Sequence, residues 1–225
     1  MNITILGTGM VGRTLAESLL SHDHRVTMGT RDVASTEEKT GEGSFSLWHS
    51  AHASILLLPF AEAVKWADLV INALNGRHTL DALTLCDKND FHDMLMIDLS
   101  NPLDFSGGFP PTLLEWLENT NSLGEAVQAF LPEAKVVKTL NTMSCAYMLA
   151  PEKIHAGNHV NFISGNDADA KQKVREFLMS FGWKDENLLD LGDISNARGT
   201  EGYLLLWTRI YSATQDGAFN IQIVR

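Results

Sequence analysis

The sequence predicts an α/β protein in which helices cover both faces of a parallel β-sheet. Three features indicate this class: a glycine-rich turn follows an apolar run at the N-terminus, a helical pattern follows that turn, and apolar runs then alternate with helical segments. Repeated βα units form parallel sheets with helices on both faces. We therefore predict a Rossmann-type doubly wound parallel sheet with a small α/β C-terminal lobe.

The first βα unit spans residues 2–20, NITILGTGMVGRTLAESLL. Gly7 would permit the tight turn, Gly9 would let a pyrophosphate approach the backbone, and Gly12 would let the helix pack closely on the strand. The free N–H groups at the helix N-terminus would bind the anion, although a purely structural turn is the alternative. The cofactor contacts predicted in this turn are Gly7, Thr8, Gly9, Met10, Val11 and Gly12.

Five further strands follow, each an apolar run that ends in a turn. The second strand is predicted near Arg25–Met28, and the others lie in SILLLPF, ADLVINAL, DMLMIDLSNP and AKVVKTLNT. The segment PFAEAVKWA predicts a helix beginning at its proline. Ligands of such sheets bind at the carboxyl ends of the strands. The cofactor contacts expected along this rim are Thr30, Ala73, Leu74, Asn75, Ser100 and Asn101.

The pattern changes after residue 158, which predicts two domains. Residues 1–158 would form the NADP-binding Rossmann domain, and residues 159–225 a small C-terminal domain with the acceptor site and dimer contacts. HVNFISG and NLLDLG predict strands, NDADAKQKVREFLMSFGW and SNARGTEGYLLLWTRIYSAT predict helices, and the alternating AFNIQIVR predicts a last strand. The apolar residues around the segment YLLLWTRIY predict a homodimer with this helix in or beside the interface.

Composition limits the possible partners. The chain has 225 residues and a formal net charge of -11, which argues against nucleic acid or an anionic membrane as partner. No apolar stretch is long enough to span a bilayer and no signal-peptide pattern is present, so we expect a cytoplasmic protein. Cys86 and Cys145 have no metal or redox spacing, and His49 and His52 lack further ligands, so no metal site is predicted.

The small and polar segment 33–54, VASTEEKTGEGSFSLWHSAHAS, interrupts the βα alternation. Loops this long are usually functional or mobile. Its position after the second strand would put it near the adenosine end of a bound dinucleotide, where it could be a lid or a plain surface insertion.

The end of the second strand, GTRD, indicates which dinucleotide binds. Thr30 and Arg31 occupy the place where a 2'-phosphate would lie, and a guanidinium fork matches its oxygens. Asp32 leaves two alternatives open, since it could bind the ribose of NAD or pair with Arg31 at the surface. Lys39 would be a further cation or a solvated loop residue. We predict NADP(H).

Seven segments carry a resemblance to a known family. In order they are TILGTGMVGRTLA, GTRD, ADLVINAL, IDLSNPL, AKVVKTLNTM, SGNDADAKQKVREFLMSFGW and DLGDISNARGTEGYLLLWTRIY. Together they resemble the F420-dependent NADP oxidoreductase family, and KTLNT with NAR…E is the most specific part. The resemblance implies hydride transfer between NADP(H) and the deazaflavin coenzyme F420 or a flavin. ALNG at residues 73–76 departs from the proline-containing turn of that family.

The chemistry implied needs no side-chain acid, because a deazaflavin or flavin ring accepts hydride directly. Lys138 could be a general acid, but its place before the end of a strand favours a structural role. Asn141 is expected to orient the nicotinamide or the acceptor, and Thr142, Met143 and Trp207 are the other predicted acceptor contacts. Trp207 could instead pack in the core or a subunit interface. The alternatives in function are an NADP(H)-binding redox sensor without turnover and an imine or carbonyl reductase.

Overall fold

The computed structural model describes residues 1–38, 40–115 and 120–224, so Lys39 lies outside the described residues. Its strands are β1 (Asn2–Leu6), β2 (Arg25–Thr30), β3 (Leu56–Pro59), β4 (Leu69–Asn72), β5 (Leu95–Asp98), β6 (Leu103–Asp104), β7 (Thr112–Leu113), β8 (Lys135–Thr139), β9 (Asn161–Gly165) and β10 (Leu188–Gly192). Its α-helices are α1 (Met10–Leu20), α2 (Val33–Glu37), α3 (Phe45–Ser50), α4 (Phe60–Ala63), α5 (Thr79–Leu83), α6 (Leu123–Phe130), α7 (Cys145–Met148), α8 (Ala168–Ser180) and α9 (Ala197–Thr214).

Eight of these strands form one sheet in the order β10-β9-β8-β5-β4-β1-β2-β3. All neighbouring pairs are parallel except β8 and β9, which are antiparallel with Val137 opposite Gly165. The predicted fold class is confirmed, with this one antiparallel junction in a mostly parallel sheet. The domain division expected after residue 158 falls between two strands that pair in the sheet, and it stays a prediction.

Alternation along the strands builds a core on each face of the sheet. Ile71 and Val137 face a cluster that includes Leu15 of α1 and Val174 of α8. Their neighbours Val70 and Val136 belong to a second cluster on the other face, with Leu83 and Val127. Because successive side chains of a strand point to opposite faces, apolar residues in succession give a sheet that is buried on both sides.

The last predicted strand, AFNIQIVR, is wrong for the described part of that segment. Residues 215–224 contain no strand, and one backbone hydrogen bond joins them to the residue before β9, from the Val160 N–H to the Ile221 carbonyl at 2.9 Å. The physical reason is that β9 already pairs with β8 on one side and β10 on the other. A segment with alternating apolar residues can form a strand only by pairing with a free edge of a sheet. Neither edge of β9 is free beside this segment.

Segment 33–54 is more ordered than its composition suggests, since it contains α2 and α3. Phe45 is buried in the core beside α1, and Trp48 packs against the same cluster. An Arg13 guanidinium N–H donates to the Gly43 carbonyl at 3.0 Å, and the Trp48 indole N–H donates to Glu17. The segment is therefore anchored on the side of α1. Among the residues that the structure describes, no helix is long and apolar enough to cross a membrane.

Candidate functional site

The three glycines of the turn between β1 and α1 differ in their surroundings. Gly7 has φ +115°, which side chains rarely adopt, and a Cβ there would lie 2.9 Å from the Ala73 carbonyl oxygen. A Cβ on Gly12 would lie 2.3 Å from the Gly7 carbonyl oxygen. At Gly9, by contrast, a Cβ would meet nothing within 4 Å. Gly7 and Gly12 are thus required by the fold, whereas Gly9 borders open space.

The N-terminus of α1 faces that open space. Gly9 is the N-cap residue, and no side chain caps the helix. The first N–H groups of a helix have no intrahelical acceptor, and they carry a partial positive charge. Thr8 is half-buried, whereas Gly9 and Met10 are exposed. The arrangement therefore offers an anion several backbone donors that no protein atom obstructs.

Arg31 lies at the end of β2, on the same rim. It is exposed, and it forms no ion pair or hydrogen bond with any residue in the described ranges. Asp32 instead caps α2 by accepting a hydrogen bond from the Ser35 N–H at 2.6 Å, and this backbone contact holds the pKa of Asp32 below its usual range. The Thr30 hydroxyl lies 2.7 Å from the Thr36 hydroxyl. The surface pair between Arg31 and Asp32 that the sequence left open is therefore not formed.

The turns after β4 and β5 approach each other closely. A Cβ on Gly76 would lie 2.0 Å from the Asn101 carbonyl oxygen, so only glycine fits there. Ala73 and Leu74 continue from β4, and the Ala73 N–H donates to the Leu6 carbonyl at 3.0 Å. The Asn75 side chain accepts from the Arg77 N–H at 3.0 Å, which begins a 3-10 turn at Gly76–His78. The predicted cofactor residues that follow β4 thus lie beside those that follow β5.

Asn141 is held by a reciprocal pair of amides. Its Nδ2 donates to Asn101 Oδ1 at 2.9 Å, and Asn101 Nδ2 donates to the Asn141 carbonyl at 2.9 Å. Asn141 is buried, and so is its neighbour Thr142, whose Oγ1 has no hydrogen-bond partner among the described residues. The turn after β5 and the turn after β8 therefore form one connected part of the rim.

Lys138 is completely buried beneath this rim and bonded to two carboxylates. Its Nζ lies 3.0 Å from Asp98 Oδ2 and 2.7 Å from Glu201 Oε1, and it also donates to the Ser100 carbonyl. Burial alone would lower the pKa of Lys138, but the charges and hydrogen bonds of Asp98 and Glu201 outweigh it and raise that pKa. An ammonium group held this way is structural, so the general-acid role considered for Lys138 is not supported.

Glu201 is a functional candidate that the analysis of the sequence missed. Its carboxylate accepts from the Leu123 N–H at 2.8 Å and the Gly124 N–H at 2.9 Å, as well as binding Lys138. One side chain of α9 thus joins the start of α6 to the charged group under the rim. The available signal was the spacing NAR…E, in which Glu201 is the terminal glutamate.

The other residues of that motif stabilise the start of α9. Arg198 forms a bidentate pair with Glu125, at 2.8 Å from Nε to Oε2 and 2.6 Å from NH2 to Oε1. This hydrogen bonding from Arg198 lowers the pKa of Glu125. Asn196 does not cap α9 with its side chain, and its Nδ2 lies 3.3 Å from the Asp193 carbonyl. Both side chains therefore make contacts within the protein at the start of α9.

Trp207 and Met143, two predicted acceptor contacts, meet the C-terminal segment rather than each other. The Trp207 ring stacks on Tyr211 with centroids 5.6 Å apart and on Phe219 at 5.2 Å. Met143 is buried, with its Sδ 4.0 Å from Asn220 Nδ2. The structure therefore brings both residues to one region beside the turn that follows β8.

The residues present fit a dinucleotide. The turn at Gly9 leaves backbone space that a Cβ would occupy, α1 supplies uncapped N–H donors, and Arg31 is a cation without a protein partner among the described residues. His49 and His52 lie 2.8 Å from backbone carbonyls of Ile55 and Trp48. No cluster of three metal-ligating side chains occurs in the described ranges.

Comparison with known proteins bears on the chemistry of this rim. The sequence profile of a family described as NADP oxidoreductase, coenzyme F420-dependent, matches residues 2–102. A crystal structure of a candidate F420-dependent NADP reductase from Arthrobacter sp. FB24 is 44% identical, with 99% of each chain covered and a TM-score of 0.94. A comparison with curated protein sequences gives no match.

More distant structures share the fold. A hypothetical protein from Sinorhizobium meliloti is 28% identical over 87% of each chain, with a TM-score of 0.66. A reductive aminase from Aspergillus terreus in complex with NADPH and ethyl-5-oxohexanoate is 17% identical, with a TM-score of 0.63. That comparison covers 95% of this chain and 62% of the aminase, and it shows the likeness of the fold alone.

Proposed function

The chain belongs to the F420-dependent NADP oxidoreductase family and is an NADP-dependent oxidoreductase, and we propose that its acceptor is a deazaflavin or a flavin-like planar ring. The observation that carries this proposal is the pairing of an open phosphate site with a rim that offers aromatic and amide groups. The ionisable side chain nearest the end of β8, Lys138, is bound by Asp98 and Glu201.

The cofactor would lie across the carboxyl ends of β1, β2, β4 and β5. We propose that the turn Gly7–Gly12 and the N-terminus of α1 hold the pyrophosphate, and that Arg31 and Thr30 hold the 2'-phosphate. Ala73, Leu74 and Asn75, with Ser100 and Asn101, would border the ribose and nicotinamide. These assignments are supported by the parallel register, which brings the ends of β1, β2, β4 and β5 to the same edge of the sheet.

The residues after β8 would set the geometry of transfer. When bound, NADPH supplies a hydride from its nicotinamide ring, and the protein's contribution is distance and orientation. The Asn101–Asn141 amide pair fixes the wall of the rim at that end, while Thr142, Met143 and Trp207 border the acceptor side. A planar deazaflavin would take the hydride at a ring carbon, and the proton that completes its reduction would go from solvent to a ring nitrogen, so no proton donor is needed at the carbon that accepts the hydride.

The experiment that tests the proposal is a panel of acceptors mixed with NADPH and, separately, with NADH. Deazaflavin, FMN, riboflavin, a ferric chelate, a small ketone and a cyclic imine are compared by the loss of reduced-nicotinamide absorbance. We expect NADPH to reduce the planar rings fastest. If NADPH binds and no compound is reduced, the protein is a nucleotide-binding sensor; if only the imine or ketone is reduced, it is a carbonyl or imine reductase.

We also propose a cytoplasmic homodimer that forms through α9. Leu206 is 55% exposed in the single chain. Tyr203, Leu205 and Ile210 are half-buried on the same helix. An exposed apolar helix face favours burial against a second surface. Sedimentation at micromolar concentration tests this, with a dimer expected for the wild type and a monomer for Leu206→Glu; a monomeric wild type would contradict it.

A further inference from the structure

A closed network of charged and polar side chains lies beneath the turns that follow β4 and β5. The ammonium of Lys138 has three hydrogens to donate. One goes to Asp98 Oδ2 at 3.0 Å, one to Glu201 Oε1 at 2.7 Å, and the third to the Ser100 carbonyl. The three charged side chains are at most 3% exposed. The network is therefore shielded from solvent, with every hydrogen of its ammonium bound.

Asp98 joins this network to both turns. Its Oδ1 accepts from the Ser100 N–H at 3.1 Å, from the Ser100 hydroxyl at 2.7 Å and from Asn72 Nδ2 at 2.8 Å. Asn72 Oδ1 in turn accepts from the Leu74 N–H at 3.3 Å. Leu74 and Ser100 are two of the residues proposed to border the ribose and nicotinamide. The network thus contacts the proposed nicotinamide end of the rim from below.

Glu201 joins the same network to two helices. It belongs to α9, and its carboxylate accepts from the N–H groups of Leu123 at 2.8 Å and Gly124 at 2.9 Å, where α6 begins. A Cβ on Gly124 would lie 3.1 Å from the Cβ of Ala197 and 3.5 Å from Lys138 Cδ. The glycine therefore lets α6 and α9 approach closely enough for Glu201 to reach the lysine.

The hydrogen bonds show the charge of each member. Both carboxylates meet donors only, so a proton on either would have no acceptor among the described residues. Lys138 is a cation at neutral pH, because burial lowers its pKa less than Asp98 and Glu201 raise it. Among the described residues, no second cation lies within salt-bridge distance of these two carboxylates. Two anions and one cation give the buried network an excess of one negative charge.

This excess charge bears on the chemistry of the nicotinamide. The ring is neutral in NADPH, and it becomes a cation when two electrons leave with the transferred hydride. We propose that the network of Asp98, Lys138 and Glu201 stabilises the cationic ring of NADP⁺ over the neutral ring of NADPH and so favours donation of the hydride. Glu201 acts on the ring by its charge and without contact. This inference rests on the proposed position of the nicotinamide, and it is independent of the acceptor.

The test is a titration of the full chain with NADP⁺ and, separately, with NADPH, which gives the ratio of the two dissociation constants. Glu201→Gln makes the network neutral, so the ratio of Kd for NADP⁺ to Kd for NADPH should rise about three- to tenfold, as expected for the loss of one buried charge near the ring. A general loosening of the site would weaken both nucleotides alike and leave the ratio unchanged. An unchanged or lower ratio in a folded variant would overturn the proposal.

A second substitution neutralises the network from the sheet. Asp98→Asn should raise the same ratio by a similar factor, although it lies on β5 and has different neighbours from Glu201. If Glu201→Gln does not fold, Asp98→Asn decides by the same criterion. A change of the ratio in opposite directions for the two variants would contradict an effect of charge.

A double variant separates charge from shape. Glu201→Gln combined with Lys138→Met leaves Asp98 as the one charged member, so the excess of one negative charge returns. Replacing a buried ion pair by neutral side chains is often tolerated. We expect the ratio to come within about twofold of the wild type, although two side chains have changed. A ratio still raised as far as in Glu201→Gln would show that shape, and not charge, causes the shift.

Glu125→Gln is the matched control for the loss of a glutamate charge. Glu125 follows Gly124 on α6, but its carboxylate pairs with Arg198, and its side chain is 18% exposed. The ratio should stay within about twofold of the wild type, because solvent screens an exposed pair. A shift as large as that of Glu201→Gln would contradict a specific role for the buried network.

The outcomes separate this inference from the proposed function, because the titrations require no acceptor. If the ratio shifts as expected and no planar ring is reduced, the role of the network stands and the proposed acceptor fails. If NADPH reduces the planar ring while the ratio is the same in all variants, the proposed function stands and the inference fails.

Discussion

The two ends of the rim differ in the solvent exposure of the polar groups that have no hydrogen-bond partner among the described residues. At the glycine turn, Gly9 and Arg31 are exposed, and the donors of α1 point to open space. At the acceptor end, Trp207 Nε1 and Thr142 Oγ1 are buried. The cofactor end is therefore open to a ligand in this structure, whereas a ligand would reach these two polar atoms only after neighbouring residues moved.

Lys138 is bonded to Asp98 and Glu201 beneath the rim, and its removal should have the largest effect. Lys138→Met would leave Asp98 and Glu201 as buried carboxylates without their cation, a loss that typically costs about 3–5 kcal/mol. Lys135→Met is the matched control, because Lys135 is on the same strand and its partner Asp93 is 69% exposed. Urea unfolding should show a large fall in stability for the first variant and little change for the second.

The pKa of Lys138 also predicts how that effect depends on pH. The folded pKa is raised above the ordinary value of 10.5, so the ammonium's stabilisation is complete below 10.5 and is lost as the pH rises through the folded pKa. The wild type should therefore keep this contribution to its free energy of unfolding from neutral pH up to the ordinary value and lose it only at higher pH, a loss that Lys138→Met, which has no amine, should not show. If urea unfolding showed no such loss in the wild type above the ordinary value, Lys138 would not be held as a buried cation.

Two glycine substitutions sharpen the contrast between fold and ligand at the cofactor end. Gly12→Ala places a Cβ 2.3 Å from a backbone oxygen and should destabilise the protein by about 1–3 kcal/mol. Gly9→Ala places its Cβ in open space, so the stability should be unchanged while the affinity for NADPH falls by about tenfold. Thermal unfolding and cofactor titration together test this pair; equal destabilisation of both variants would contradict it.

A substitution at Arg31 tests the preference for NADPH over NADH without disturbing the fold. Hydrogen bonds to charged groups contribute about 1.5–3 kcal/mol, so Arg31→Ala should weaken NADPH binding by roughly 10- to 100-fold and leave NADH unaffected. Arg25→Ala, at an exposed arginine that begins β2, is the control and should change neither affinity. Equal losses for the two nucleotides in Arg31→Ala would remove the basis for assigning the 2'-phosphate to this residue.

A substitution at Asn141 tests the contact between the turns that follow β5 and β8. We expect the smallest effect for this substitution. Asn141→Leu removes the hydrogen bond from Asn141 Nδ2 to Asn101 and keeps the one to the Asn141 backbone carbonyl, so turnover should fall by about tenfold while NADPH affinity changes less than threefold. Thermal unfolding identifies any general loss of stability. An unchanged rate in a folded variant would move the site of transfer away from Asn141, toward α9.

The sequence predicted most of the sheet because its strands are buried on both faces and show as short apolar runs. It also predicted the glycine turn, where Gly7 and Gly12 have steric causes and Gly9 borders open space. AFNIQIVR was predicted as a strand because local alternation does not reveal that both edges of β9 are occupied. Segment 33–54 appeared irregular since its helices depend on Phe45 and Trp48 packing against distant residues.

The residues of the candidate site also differ in how well the sequence predicted them. Arg31 could be selected from its spacing, because the phosphate end is built from adjacent residues of one βα unit. Glu201 could not, since its partners Lys138 and Gly124 come from distant parts of the chain. The contact between Phe219 and Trp207 likewise joins segments that no local pattern records. Prediction was thus strongest where the site is made of local backbone and weakest where it is made of side chains from different elements.

Direct transfer of hydride to a planar ring is the central claim, and isotope transfer tests it most directly. NADPH carrying deuterium at the transferable position of its nicotinamide is mixed with 5-deazariboflavin and the enzyme without oxygen, and the reduced ring is analysed by mass spectrometry. We predict a single deuterium bound to carbon in the product. A reduced ring without deuterium, or no reduced ring while NADPH remains bound, would contradict the claim.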